Sequence, residues 1–380
     1  MNSRYFWVII LGLSLLLTAG CGGGGGGGTV VTGVQSSGGI DTTPADDGNP
    51  ATPPAVFAIP AAINDNNELV GTSETTAGGV LQAAYWMVNN TGAATVEASN
   101  LQSLAPDLFA AAHDLNGAGV IAGSAENTDT SIRAVVWDDN ASAPRILQGL
   151  APGADADANA INADGRIVGS SEDGNFLRKA VYWDRSATDG SLTGPFQLPG
   201  VPADWESEAW AVNDDGVIAG ELIDLSGISH AAIWQPDVAG YVRVDLPTPV
   251  GFDHAIAFGL NNAAAGGTAI QVVGETSDDN LNAFSQAVIW SLDLAAVPAT
   301  VTATDEIGVN NRDSSALAVS DAGRTVGWQD SATDVSQAVF WDGAAPASVL
   351  VSTDSQAFDI NAGNLVVGRS GTVGFVKLAN

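Results

Sequence analysis

"ANAINADGRIVGSSE", Ala158–Glu172, decides the fold. Small and aliphatic residues lead to Asn162. The run Asn-Ala-Asp-Gly to Gly165 suits a type I turn closed by a residue with positive φ. "RIVG" after it is a short apolar run bounded by small residues, as a buried returning strand is. The stretch therefore predicts a tight hairpin. One hairpin alone is marginal in water, so it must pack against others.

The chain supplies the others by repetition, which is the feature to seek first in a sequence of this kind. The same frame stands in "AIPAAINDNNELVGTSE", "AAAHDLNGAGVIAGSAE", "AWAVNDDGVIAGE", "AFGLNNAAAGGTAIQVVGE", "ALAVSDAGRTVGWQD" and "AFDINAGNLVVGRS". A turn-former recurs at Asn64, Asn116, Asn162, Asn213, Asn261, Ser320 and Asn361. An aliphatic residue precedes each. Alanine lies four before it except at Pro60. Glycine follows at Gly71, Gly123, Gly169, Gly220, Gly274, Gly327 and Gly368, the fifth displaced by inserted residues. Gly119, Gly165, Gly216 and Gly323 stand where the turn needs positive φ, and Asn67 and Asn364 are the next best choice there.

A third strand follows each polar loop: "QAAYW", "RAVVW", "KAVYW", "HAAIW", "QAVIW" and "QAVFW", ending at Trp86, Trp137, Trp183, Trp234, Trp290 and Trp341. A fourth follows, as in "APRILQGL" and "YVRVDLP". Four short strands at a period of about 50 residues is the signature of a propeller blade. The expected fold is all-β: a seven-bladed β-propeller of four-stranded blades over residues 55–380. The seventh copy runs out after a third strand, Gly374–Leu378, and "AVFAIP", Val56–Pro60, resembles a fourth strand standing alone. The two termini are expected to pair and complete that blade. Small alanines suit the converging inner strands, and the tryptophans fill the splayed space further out, as core rather than as a stacking platform.

The amino-terminal segment carries an address. Tyr5–Leu17 is almost wholly apolar, about the length of a secretory h-region and short for a membrane span. Thr18, Ala19 and Gly20 then precede Cys21, the single cysteine. Residues 1–20 resemble a bacterial lipoprotein signal peptide, in which Cys21 becomes the lipidated first residue. Gly22 after it resembles the outer-membrane sorting choice. The implied location is an exported outer-membrane lipoprotein, facing the periplasm or the cell surface. Residues 21–54, with their glycine run, read as a flexible tether reaching roughly 30 Å.

From Val56 to Asn380 the pattern Ala-x-x-Ile-Asn-x-x-Gly-x-Ile-Val-Gly resembles the HAF-repeat family of exported bacterial proteins. The Asn-to-Gly half is matched throughout. His230 opens its unit as the family name implies, and the phenylalanine place holds Ala84, Val135, Val181, Ala232, Val288 and Val339. The resemblance implies an exported repeat protein and brings no catalytic residues with it.

The motifs of chemistry are sparse. No Gly-x-Ser-x-Gly elbow or His-x-x-x-His pair is present. "GAGVIAG", Gly117–Gly123, sits in a hairpin without a following helix, so it is no dinucleotide loop. Charge is the stronger signal: 43 acidic against 12 basic residues, net −31. Such a chain excludes nucleic-acid binding. The acids are expected on one propeller face. Glu74, Glu126, Glu172, Glu221, Glu275 and Asp330 open the loops between second and third strands. Asp155, Asp157, Asp204, Glu206 and Asp253 stand in the links between blades. "DADAN", Asp155–Asn159, offers three oxygen side chains at alternate positions, as a calcium loop does, without the glycine and closing glutamate of an EF-hand. Asp114 and Asp359 fall on inner strands, where they either line the channel or bond to neighbouring backbone.

Two functions are expected from this face. One is a lipid-anchored binding module for a cation or a basic protein partner. The other is a hydrolase acting on an extracellular polymer, with calcium as the cofactor it would use. The second needs two convergent carboxylates about 5–9 Å apart.

Overall fold

The computed structural model describes residues 40–41, 57–74, 79–88, 96–106, 108–278, 284–309, 311–343 and 345–379. Cys21, the expected signal peptide and all of the expected tether but Ile40–Asp41 lie outside them.

Every copy of the frame forms the same hairpin. The inner strands are Ala58–Ile63, Ala110–Leu115, Ala156–Ile161, Glu206–Val212, His254–Leu260, Ser314–Val319 and Ser355–Ile360. Each pairs antiparallel with the strand that follows its turn. The turn chemistry is as read: Asn67, Gly119, Gly165, Gly216, Gly323 and Asn364 all have φ between 60° and 86°.

One irregularity recurs in every inner strand. The register slips around Ala61, His113, Asn159, Trp210, Phe258, Leu317 and Phe358, each three residues before the turn-former. This bulge explains the frame glycine. It swings an inner-strand carbonyl into the second strand, so a Cβ on Gly169 would collide with the Asp157 carbonyl and one on Gly220 with that of Glu208. Only a residue without a side chain fits there.

The turn-formers knit the hairpins together. Asn64 Nδ2 donates to the Asn116 carbonyl at 3.0 Å, Asn116 to Asn162 at 3.1 Å, Asn162 to Asn213 at 3.0 Å, and Asn213 to Asn261 at 2.9 Å. Asn261 reaches the Ser320 carbonyl at 3.4 Å, and Asn361 reaches that of Asn64 at 3.1 Å. The asparagine Oδ1 meanwhile accepts the N–H four residues on, as Asn162 does from Arg166 at 2.8 Å. One side chain thus holds its own turn and the next.

The core lies between sheets. Seven apolar clusters each draw on two consecutive repeats, the last joining Val367 and Val376 to Ala58, Leu69 and Trp86. The six tryptophans are at most 1 % exposed. Four indoles donate to the preceding link: Trp137 to Gln102, Trp183 to Gln148, Trp234 to Pro199 and Trp290 to Pro247, at 2.7–2.9 Å.

The sheet count and the closure differ from the sequence expectation. Five four-stranded sheets are separate, those of the second to sixth repeats. The first and seventh repeats share one eight-stranded sheet. The two halves meet at a single parallel pair, Ala58 opposite Val373. Val56–Pro60 was expected as the outer partner of Gly374–Leu378. Instead Ala58–Ile63 is the inner strand of the first repeat: one edge pairs along its length with Glu68–Glu74, and the other meets the last strand only at Ala58, in parallel. The antiparallel outer partner of Val373–Leu378 is Ile40–Asp41, with Ile40 opposite Val376.

Candidate functional site

The bulges give the inner strands a second role. A bulge re-aims a side chain that would otherwise pack between sheets. The bulged residues divide by chemistry around the ring. Trp210, Phe258, Leu317 and Phe358 are apolar, and the Trp210 and Phe258 rings meet edge to face at 6.1 Å. His113 and Asn159 are polar, and both reach forward to the next inner strand. His113 Nδ1 contacts the Ala158 carbonyl at 3.0 Å, and Asn159 Nδ2 donates to that of Ala209 at 2.9 Å.

A charged cluster builds up on this polar side. Arg178 donates to Asp157 Oδ2 at 2.8 Å, to Glu208 Oε2 at 2.9 Å and to Ser170 Oγ at 3.1 Å. Glu208 Oε1 also accepts from Asn159 Nδ2 at 3.0 Å and Ser170 Oγ at 3.2 Å. Asp157, Asn159 and Glu208 are buried. Removing these charges from water is costly, and only mutual pairing offsets it. Burial pushes the His113 imidazole below its usual range, with Asp157 opposing. Because the Ala158 carbonyl can only accept, Nδ1 carries the proton. Nε2 then faces the Ser124 hydroxyl at 3.4 Å, and Ser124 is itself buried.

The expected acidic face resolves into several environments. Glu221 and Glu275 do not open loops; they lie within strands, two places earlier than Glu74, Glu126, Glu172 and Asp330 do relative to the frame glycine. Glu221 is 2 % exposed, and burial pushes it up to about 7. Its Oε1 accepts from the Trp210 indole at 3.3 Å, and the Ser229 hydroxyl opposes the rise. Burial likewise raises Glu275 to about 7. The four true loop acids use their backbone: Glu74, Glu126, Glu172 and Asp330 donate N–H to the carbonyls of Phe57, Phe109, Asp155 and Asp313. Asp330 is raised by burial and accepts from Ser336.

The link acids are mostly braces. Asp155 Oδ1 accepts the Ile132 N–H at 2.9 Å, and Glu206 Oε1 accepts that of Arg178 at 3.5 Å. Asp313, of the same frame position, accepts from Ser285 at 2.8 Å. Each holds the third strand of the repeat before it. Asp204 and Asp253 are exposed. Of the three oxygen side chains of Asp155–Asn159, Asp155 therefore turns to Ile132, while Asp157 and Asn159 join the Arg178–Glu208 cluster. Among the described residues no three His, Cys, Asp or Glu side chains gather as metal ligands. Asp114 and Asp359 bond to neighbouring backbone, Asp114 to Ile161 N and Asp359 to Ile63 N, both at 2.8 Å.

Sequence reasoning missed Arg178 and Glu208. Glu208 was legible, since it holds the frame position of Asp157. Arg178 has no counterpart in the frame. It also missed the apolar side chains of this end. Phe176, Leu225 and Val250 occupy the loops and links here, and they are three of the four most exposed large apolar side chains described, at 81 %, 75 % and 101 %; Val238 is the fourth.

No family model matches the chain, and no curated protein matches it. Solved structures do. The β-propeller domain of the Trilobed protease from Pyrococcus furiosus is similar at TM-score 0.50 and 11 % identity, over 84 % of this chain and 92 % of that one. The acylaminoacyl peptidase of Pyrococcus horikoshii is similar at TM-score 0.48 and 12 % identity, over 83 % of this chain and 49 % of that one. The Aleuria aurantia lectin is similar at TM-score 0.43 and 11 % identity, over 79 % and 98 %. At such identity the first likeness establishes the fold alone. The chain is an all-β β-propeller.

Proposed function

We propose that this protein is a lipid-anchored, non-catalytic binding module of seven propeller blades, resembling the HAF-repeat proteins, that presents its loop end to a partner. The eight-stranded sheet counts as two blades in this reading. Support comes from the seven equivalent bulges and from the amide bonds that run through Asn361 back to Asn64.

One observation carries the binding assignment: the loop end concentrates exposed apolar side chains at Phe176, Leu225 and Val250 beside exposed acids at Asp204 and Asp253. Loops carry recognition, and exposed apolar side chains grouped within a polar rim mark its surfaces. The interior cluster argues the same way from the other side. Arg178 takes up Asp157 and Glu208, and His113 and Ser124 face each other, so this cluster is committed to the scaffold.

The test is cross-linking in intact cells, with the full chain compared to Cys21→Ser. The reading expects the wild type in the outer-membrane fraction, the variant released from it, and cross-links to another protein mapping to the loop end. Cross-links confined to the chain itself, or mapping to the asparagine turns, would overturn it.

A further inference from the structure

We propose that Phe176, Trp205 and Leu225, on the adjoining loops of the third and fourth repeats, dock a basic protein segment that bears apolar side chains. This rests on the loop-end reading above and gives it a location and a partner.

Phe176 is the least expected of the three. It sits at φ 61° in the left-handed region, which a bulky side chain rarely adopts, and it is 81 % exposed. The turn sets that φ, since the Phe176 N–H closes on the Asp173 carbonyl at 3.1 Å and the Asp173 N–H on that of Leu177 at 2.9 Å, but nothing in the turn calls for a ring there. The equivalent place in the fourth repeat's loop is Gly227, at φ 84°. Both loops are stiffened at their base. Asp173 Oδ1 accepts the N–H groups of Asn175 and Leu177, and Asp224 Oδ1 those of Ser226 and Ile228, at 2.7–3.1 Å. Leu225, 75 % exposed, follows directly on Asp224.

Trp205 lies in the link between the two repeats and is locked from behind. Its carbonyl and that of Ala203 take the ammonium of Lys179 at 2.5 and 2.8 Å, and Lys179 is 2 % exposed. Its ring stacks on His230 at 5.3 Å and 17°. His230 Nε2 in turn meets Asp224 Oδ2 at 3.3 Å. Lys179 also lies close enough to Asp173 to favour its charged form. One buried cation and one stacked pair thus connect the loop of Phe176 to that of Leu225.

The setting selects the occupant. Asp173 and Asp224 stand in the two loops and exposed Asp204 precedes Trp205 in the link, while the cations Arg178 and Lys179 are spent inward. Rigid aromatic and leucine anchors within a charged rim are the anatomy of a binding hot spot. A second copy of the chain would bring the same acidic surface and a net charge of −31. A basic segment meets the rim with opposite charge and the anchors with its own apolar side chains.

The experiment measures binding of the full chain at about 0.15 M salt, near the physiological Debye regime, to three synthetic peptides. One alternates lysine and leucine, one has the same lysines with serine for leucine, and one alternates glutamate and leucine. The proposal expects the lysine–leucine peptide to bind at least tenfold tighter than either other. Phe176→Gly and Leu225→Ser should each weaken it at least tenfold, with Val238→Ser at the opposite end without effect. Phe176→Gly should melt no lower than wild type, since glycine suits that φ, so its loss of binding is not misfolding. If both variants bind as wild type while Asp253→Lys, in the next link and outside the patch, abolishes binding, the patch is wrong and the loop-end reading stands. If Asp253→Lys also changes nothing, both fall. Concentration-dependent dimerisation abolished by Phe176→Gly would make the occupant a second copy and overturn the proposal.

Discussion

Asn361 donates its side-chain amide to the backbone carbonyl of Asn64 at 3.1 Å, joining two residues 297 positions apart in the chain. The same bond links successive repeats from Asn64 to Ser320. Between Ser320 and Asn361 it cannot form, because serine has no amide.

That gap makes a two-sided prediction. Asn361→Ala takes the acceptor from the Leu365 N–H and one of two donors from the Asn64 carbonyl, which keeps the Asn67 N–H. It should cost about 1–3 kcal/mol. Ser320→Asn should add about 1 kcal/mol by supplying the missing bond. Urea denaturation of each variant measures both. No gain from Ser320→Asn would mean that the amide ring is not a source of stability.

The frame glycines give a contrast between two glycine-to-alanine changes. At Gly169 the new methyl meets the Asp157 backbone, which cannot move without undoing the bulge. Gly169→Ala should cost more than about 3 kcal/mol. Gly117→Ala meets nothing within 4 Å at a turn without positive φ. It should be neutral or stabilise by about 0.5 kcal/mol. Thermal melts of the pair would decide whether the glycine marks close approach or merely a flexible site.

Arg178 should be structural. Arg178→Met strands Asp157 and Glu208 as unpaired buried carboxylates, at a cost of about 3–5 kcal/mol. Urea denaturation measures it, with Arg178→Lys as the control. Rescue by lysine would assign the loss to charge, and no rescue would assign it to the forked geometry of the guanidinium.

The buried acids predict an unusual pH optimum. Burial raises Asp114, Glu221 and Glu275 to about 7 and Asp359 to about 6. Each binds a proton more tightly folded than unfolded, where its value is near 4. Their contribution is therefore complete below about pH 4 and lost as pH rises through 6–7. Acids held low by local hydrogen bonds, such as Asp189 at about 2, act in the other direction, weakening the fold only below about pH 4. The melting temperature should rise from pH 8 to pH 5. Glu221→Gln with Glu275→Gln should flatten that rise.

Millimolar calcium should leave the melting temperature unchanged. Asp155 is taken by the Ile132 N–H, Asp157 by Arg178, and Asn159 is engaged with Glu208. A site filled to 100 times its dissociation constant would add about 2.7 kcal/mol and be plain in a melt. A shift abolished by Asp157→Asn would reinstate the calcium loop.

Much of this architecture was legible in one dimension because the repeat is written residue by residue. A turn needing positive φ accepts few residue types, and the buried indole needs a tryptophan. The closure was less legible: Ala58–Ile63 carries both the frame of an inner strand and the look of a lone outer one, and a strand edge can be used once. The charged interior was harder still. Arg178 answers to no period, and Asp157 reads the same on paper whether it faces solvent or a guanidinium.

From the sequence alone came the repeating hairpin, its turn chemistry, the tryptophan core and an all-β propeller, since each depends on neighbours in the chain. Which acids are braces, which are buried and raised, and which side chains crown the loop end depended on the tertiary structure. Those properties arise between repeats about 50 residues apart, where the sheets converge on their axis and bring together groups that no local pattern pairs.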